Sequence, residues 1–222
     1  RRSSDLFIST SSHELKTPLA TMQLILENLP YVREDEEKFR EFTQDLLLQL
    51  QKMKQMTEQL LQLTGLPQET LQKELISEKE IGEHLLQTFQ YLAAEKKITL
   101  QFELGKANFS VDRRLFFRAL DNLVANAIRY SPAETSVTVG TKSNKTENLV
   151  YVCDQGIGIS PSDLPHIFTP FFRANDATAW NQEGSGLGLA IVKQIIELHR
   201  GKIAIDSKPK KGTCVYITLP QN

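Results

Sequence analysis

Ser12-His13-Glu14-Leu15-Lys16-Thr17-Pro18-Leu19 opens the first of two long apolar stripes, and its spacing decides the N-terminal fold. His13 and Thr17 lie four apart, so they share one face of a helix. Pro18 has no N–H to give the carbonyl of Glu14, and a bend beside the histidine is expected. From Leu15, apolar residues recur at Leu19, Met22, Leu26 and Leu29 in alternating steps of four and three. That is the a/d pattern of packed helices. Pro30-Tyr31 ends the stripe and a charged turn spans Arg33 to Glu37. A second stripe then runs through Phe39, Phe42, Leu46, Gln49, Met53, Met56, Leu60 and Leu63, closed by Gly65-Leu66-Pro67.

Two antiparallel helices with one apolar seam each cannot bury both seams in a single hairpin. The simplest remedy is a homodimer that forms a four-helix bundle; the alternative is packing on the rest of the same chain. Gln49 reads either as a register-setting residue or as a tolerated polar one.

The bulk composition narrows the class. The chain has 222 residues, 40% hydrophobic and 24% charged, with a formal net charge of −1. No dense Lys/Arg block indicates a nucleic-acid surface. No apolar run approaches the roughly 18–20 residues that span a bilayer, and the given sequence shows no signal-peptide pattern. Because the sequence starts at Arg1, it reads as a fragment of something longer. Cys153 and Cys214 sit in alternating stretches and are expected as buried, reduced thiols. No Cys/His spacing of a structural zinc site is evident.

After Pro67 the period changes. Strands are expected near Leu75-Ile76 and over 98–104, 136–141, 149–153, 202–206 and 213–219, and helices over 80–95, 113–129 and 187–200. This order gives an α+β sandwich, one mixed sheet with helices on one face. His84 and His199 are expected on helix faces and His166 in a turn. Ala174 to Glu183, which includes Trp180, lacks any period and is expected as a mobile loop.

Three motifs in this half carry chemistry together. Asn122-Leu-Val-Ala-Asn126 puts two amides one turn apart on a helix, Asp154-Gln-Gly156-Ile-Gly158 follows a strand, and Gly184-Ser-Gly186-Leu187-Gly188-Leu precedes a helix. An aspartate at a strand end can accept from the exocyclic amine of adenine, where guanine would present a carbonyl oxygen. Glycines admit close backbone approach, and a helix N-terminus offers free N–H groups to phosphates. The Asn126 amide oxygen suits Mg²⁺, and Arg129 can meet a phosphate. Each motif alone is also a common turn or solvated helix face; their order points to ATP as phosphoryl donor and His13 as acceptor.

The whole chain resembles the cytoplasmic core of a bacterial two-component sensor histidine kinase. Ser12 to Leu19 resembles the family's H box, Asp121 to Ser131 its N box, Asp154 to Ile159 and Gly184 to Leu189 its glycine boxes, Phe168 to Arg173 its phenylalanine box, and Gly212 to Pro220 its last strand. The resemblance implies a dimerisation and histidine-phosphotransfer domain over residues 1–66. Residues 67–222 would form a catalytic ATP-binding domain of the Bergerat (gyrase-like ATPase) fold. It implies His13 as phosphoacceptor, Glu14 as general base, and Thr17 as the residue positioning water for dephosphorylation of a response regulator receiver domain. Asn126 would be the Mg²⁺ ligand beside Asn122, and Asp154 would read adenine. Arg129, Tyr130, Gly156, Gly158, Phe171, Arg173, Gly184, Gly186, Leu187 and Gly188 would complete the nucleotide site. Arg129 stands where lysine is commoner, and Arg173 reads either as a γ-phosphate contact or as solvated. The implied cofactors are ATP and Mg²⁺, and the implied full-length protein is anchored in the bacterial membrane through a preceding sensor part. A hinge is expected near Thr64 to Leu71. The competing functions are a phosphatase-dominant scaffold and a gyrase-like ATPase or serine kinase.

Overall fold

The computed structural model describes the backbone of residues 2–65, 71–174 and 184–221, with the side chains of 2–14, 55, 59 and 61–65 outside the description. The chain divides into two compact units, Arg1–Leu66 and Pro67–Asn222. The core of the expected hinge and nearly all of the expected loop over 174–183, with Trp180, lie outside the described residues. Among the described residues no helix is long and apolar enough to cross a membrane.

The first unit is a helical hairpin: α1 (Arg2–Asn28), a 3-10 turn (Leu29–Val32) and α2 (Glu36–Gly65). Helix α1 continues through Pro18, whose ring is buried. Asp35 starts α2 by accepting from the Lys38 N–H at 3.1 Å. That amide and the Lys38 ammonium hold its carboxyl below the usual range. The apolar stripes line a groove formed by Leu19, Met22, Leu26, Leu46, Leu47 and Leu50. Leu19 and Leu26 of the first stripe, and Leu47 and Leu50 one position beyond the second, stay more than half exposed (53%, 53%, 58% and 57%), so one hairpin leaves this apolar groove uncovered.

The second unit runs β1 (Lys73–Ser77), α3 (Glu78–Glu95), β2 (Thr99–Leu104), β3 (Asn108–Asp112), α4 (Arg113–Tyr130), β4 (Ser136–Ser143), β5 (Glu147–Asp154), α5 (Gly188–Leu198), β6 (Lys202–Lys208) and β7 (Gly212–Pro220). Strands β2-β4-β5-β7-β6 form a five-stranded sheet, with β2 and β4 parallel and the other pairs antiparallel. Alternation sends Val137, Val139, Val150, Val152, Val215 and Ile217 inward, where α3, α4 and α5 cover that face with Ile81, Leu85, Leu120, Ile128, Ile191 and Ile195. The expected single sheet is corrected in one respect. Strands β1 and β3 make a separate antiparallel pair, Ile76 opposite Phe109. Strand β3 was not anticipated: it spans five residues and runs straight into the stronger helical pattern of α4.

Helix starts are built locally. Ser77 and Glu80 form a reciprocal capping box on α3, and Asp112 caps α4 by accepting from the Leu115 N–H at 3.1 Å. His199 is not on a helix face as expected but closes α5, only 1% exposed. Its Nε2 accepts from the Asp112 N–H at 2.9 Å, so Nδ1 carries the proton and donates to the Ile195 carbonyl at 2.7 Å. The ring thereby ties the end of α5 to the start of α4.

The cysteine expectation is also corrected. Antiparallel pairing of β5 with β7 sets Cys153 directly opposite Cys214, and their sulfurs are bonded. Two strands 61 residues apart in sequence become neighbours, a register that no local pattern discloses.

Burial lowers the His199 pKa from 6.5. Below that pH the unfolded chain takes a proton that the fold resists, so His199 makes stability fall as pH drops. Urea unfolding between about pH 7.5 and 5.5 should show this loss. It should be smaller in His199→Gln, whose amide keeps both hydrogen bonds without titrating. Equal slopes in the two proteins would contradict the assignment.

Candidate functional site

Helix α4 buries Leu120, Leu123, Val124, Ala127 and Ile128 and turns Asn122, Asn126, Arg129 and Tyr130, all half-buried, away from the deepest core. Asn122 Nδ2 donates back to the Arg118 carbonyl at 2.8 Å, which fixes its amide. Helix α5 begins against these side chains. A Cβ on Gly188 would lie 3.0 Å from Asn122 Oδ1 and 3.7 Å from Asn126 Nδ2. One on Gly184 would lie 3.2 Å from an Arg129 guanidinium nitrogen and 3.8 Å from the Tyr130 hydroxyl. The second glycine motif therefore packs on the asparagine helix, and the first-turn amides of α5 open beside two amide groups.

Two anchors hold this arrangement. Leu187, fully buried, seats the start of α5, and its N–H donates to Ser185 Oγ at 3.3 Å. Phe171 donates its N–H to the Gly186 carbonyl at 3.0 Å. Gly186 has φ +68°, and a Cβ there would meet the Phe171 backbone at 2.7–2.9 Å. Only glycine permits that approach. Phe171 is itself buried with φ +65°, and Arg173 follows it half-buried.

Asp154 ends β5. Its Oδ1 accepts from the Gly156 N–H at 2.8 Å and the Thr213 N–H at 3.1 Å. Among the described residues Oδ2 accepts no hydrogen bond, which leaves it available to a ligand. Burial pushes the Asp154 carboxyl up to about 6 even though both amides pull it down. A Cβ on Gly156 would lie 2.4 Å from the Tyr130 carbonyl, and the Ile157 N–H donates to that same carbonyl at 3.1 Å. The loop that follows Asp154, with Gly158 at φ +69°, is thus seated on the end of α4. The hairpin of β6 and β7 supports it from the other side. Ser207 Oγ accepts from the Ile159 N–H at 2.9 Å and donates to the Gly212 carbonyl at 3.1 Å.

The structure gathers Asn122, Asn126, Arg129, Tyr130, Gly156, Gly184 and Gly188 at α4, with Asp154 beside Gly156; Gly158 lies against Lys208 and Pro209, and Phe171, followed by Arg173, packs on Gly186 next to Leu187. Thr213, Ser207 and the His84–Asp121 pair were missed by the sequence reading. Thr213 lies inside the closing strand that was recognised, but its role is a backbone N–H that no residue type announces. His84 Nε2 meets Asp121 Oδ1 at 2.8 Å and its ring packs 4.2 Å from that of Phe117. The pair ties α3 to α4 one residue before Asn122. Burial raises the Asp121 carboxyl, with His84 opposing. In the first unit, His13 and Glu14 lie within α1, their side chains outside the description. Thr17 is exposed one turn further on.

Residues 111–222 match the family described as Histidine kinase-, DNA gyrase B-, and HSP90-like ATPase, and residues 3–69 match the His Kinase A (phospho-acceptor) domain. The sensor-like histidine kinase SenX3 of Mycobacterium tuberculosis is 34% identical over 228 residues, an alignment covering 96% of this chain and 53% of SenX3. Among solved structures, histidine kinase AdeS of Acinetobacter baumannii superposes with a TM-score of 0.76 at 26% identity, covering 95% of this chain and 98% of AdeS. Histidine kinase ThkA, in complex with response regulator protein TrrA, shares the fold at a TM-score of 0.81 and 20% identity, covering 97% of this chain and 61% of ThkA. The chain belongs to the sensor histidine kinase family. It spans about half the length of its SenX3 relatives, and the ATPase match implies that its second unit binds ATP.

The Asp154 pKa has a definite consequence for stability. Between 3.8 and about 6 the folded protein holds a proton that the unfolded chain releases. Asp154 therefore favours the fold as pH falls through about 6, and its buried charge costs stability above it. Asp154→Asn keeps an oxygen for both amides and no charge. It should unfold about 1–3 kcal/mol less readily than the parent near pH 8, a gain that shrinks towards pH 5. A gain that does not change with pH, or a loss at pH 8, would contradict the burial of a charged carboxylate.

Proposed function

We propose that this protein is a histidine kinase core that transfers the γ-phosphoryl group of Mg-ATP to His13 and then to an aspartate of a response regulator receiver domain. In this reading residues 1–66 are the dimerisation and phosphotransfer domain and residues 67–222 the catalytic ATP-binding domain. The observation that carries it is the seating of Gly188 on Asn122 and Asn126. It sets the amides at the start of α5 beside two amide side chains, on a helix whose far end receives the loop after Asp154.

Each residue has a physical task. Asp154 Oδ2 accepts from the adenine amine, while the α5 amides and Arg129 meet phosphate oxygens. Asn122 Oδ1 faces Gly188 and the Asn126 amide lies beside it; with the Asn126 amide turned to present its oxygen, these two side chains would hold Mg²⁺, which would supply positive charge to the phosphates. One ring nitrogen of His13 attacks the γ-phosphorus as the bond to the β–γ bridging oxygen breaks and ADP leaves, and the Glu14 carboxylate accepts a hydrogen bond from the other ring N–H as positive charge develops on the ring. The product is a phosphoramidate, reactive enough to pass its phosphoryl group to a carboxylate. The exposure of Thr17 one turn along supports a role in holding water against a phosphorylated regulator, which would give phosphatase activity. ThkA bound to TrrA supports the choice of partner. The uncovered leucines of the hairpin groove support a homodimer.

Incubation with γ-labelled ATP and Mg²⁺ should give an acid-labile, base-stable label that is lost in His13→Ala and Asn126→Ala. Nucleotide binding should persist in His13→Ala. Acid-stable label, or ATP turnover indifferent to His13→Ala, would instead mark a gyrase-like ATPase or serine kinase. Sedimentation of Leu47→Glu/Leu50→Glu should show a monomer where the parent is a dimer; an unchanged mass would refute the bundle.

A further inference from the structure

The Cys153–Cys214 disulfide lies directly behind the Asp154 clamp. Cys153 precedes Asp154 in β5, and Cys214 follows Thr213 in β7. Side chains alternate, so Asp154 and Thr213 share the inner face with Val152 and Val215, and the two sulfurs share the other face with Tyr151 and Tyr216. Among the described residues, α3, α4 and α5 cover the inner face. In register, Thr138, Cys153, Cys214 and Asp206 form one row across four strands, with both cysteines partly accessible and Asp206 exposed. A reductant in solution can reach the bond.

Its position along the ladder matters more. Cys153↔Cys214 is the last pair of β5 with β7, after which β5 leaves into the glycine loop. Beyond it, the two strands stay joined through the Thr213 N–H on Asp154 Oδ1. Strand ends are where ladders open first, so a covalent bond at the last rung acts on the geometry of that carboxylate.

We propose that Cys153–Cys214 is a thiol–disulfide site on the open face of the sheet, whose oxidation state sets nucleotide affinity by holding or releasing Asp154 and Thr213. The proposal rests on the ATP-site reading above and adds regulation to it. The reductant is a dithiol. One of its sulfurs attacks the bond, the Cys153–Cys214 S–S bond breaks, and both cysteines gain a proton. Two electrons leave the dithiol, which closes its own disulfide. In the reduced protein β5 and β7 keep their backbone ladder while the last rung opens, and Asp154 loses its fixed orientation towards adenine.

The test uses the whole chain in two forms, oxidised and dithiothreitol-reduced, with thiol content checked by alkylation and mass spectrometry. Binding of a fluorescent ATP analogue should weaken about fivefold or more on reduction, while circular dichroism shows the fold retained. Cys153→Val/Cys214→Val, which preserves strand-forming side chains, should bind equally with and without dithiothreitol. Equal affinity of the parent's two forms would overturn the proposal and leave the ATP site standing. So would a bond that dithiothreitol opens only after unfolding. Failure of both forms to bind the analogue would sink the ATP-site reading together with it.

Discussion

The nucleotide site proposed for the second unit depends on one carboxylate kept in a place that disfavours its charge. Asp154 is buried enough to rise to about 6, yet two backbone N–H groups hold its Oδ1, one from the next loop and one from β7. Both donors are peptide groups; the Gly156 donor is local, while the Thr213 donor reaches Asp154 only where β5 and β7 pair in register. The Tyr130 carbonyl receives the loop after Asp154, and Ser207 braces it from the last hairpin. A carboxylate with one oxygen saturated and the other available discriminates between purines more sharply than a solvated one, because a mismatched acceptor leaves both groups unpaired.

Legibility in the sequence followed the range of the interaction. Heptad steps from Leu15 and from Phe39 announced the two helices because their period is local. The asparagine and glycine motifs were legible because backbone approach admits few residue types; Gly186 under Phe171 and Gly156 under Tyr130 are sites where any side chain would collide. Contacts between distant segments were hidden. Nothing local pairs Cys153 with Cys214, sends Thr213 to Asp154, or buries His199 against Asp112. The pairing of β1 with β3 escaped for a related reason, since a five-residue strand bounded by a helix carries little periodic signal.

The two units divide the physical problem. The hairpin keeps an apolar groove open and carries the histidine on a helix; the sheet domain concentrates amides, glycines and a largely buried Asp154 around α4. Burial costs stability at Asp154, the cost expected where a binding group is kept out of water. The disulfide lies on the opposite face of the sheet from Asp154 and Thr213.

The most direct measurement is a competition between ATP and inosine triphosphate for the wild-type chain at neutral pH. The two ligands share the triphosphate and differ at the base edge that Asp154 is said to read, where inosine carries an oxygen in place of the amine. ATP should bind at least tenfold more tightly, about 1.4 kcal/mol or more. Equal affinity for the two would show that the carboxylate at the end of β5 does not recognise adenine.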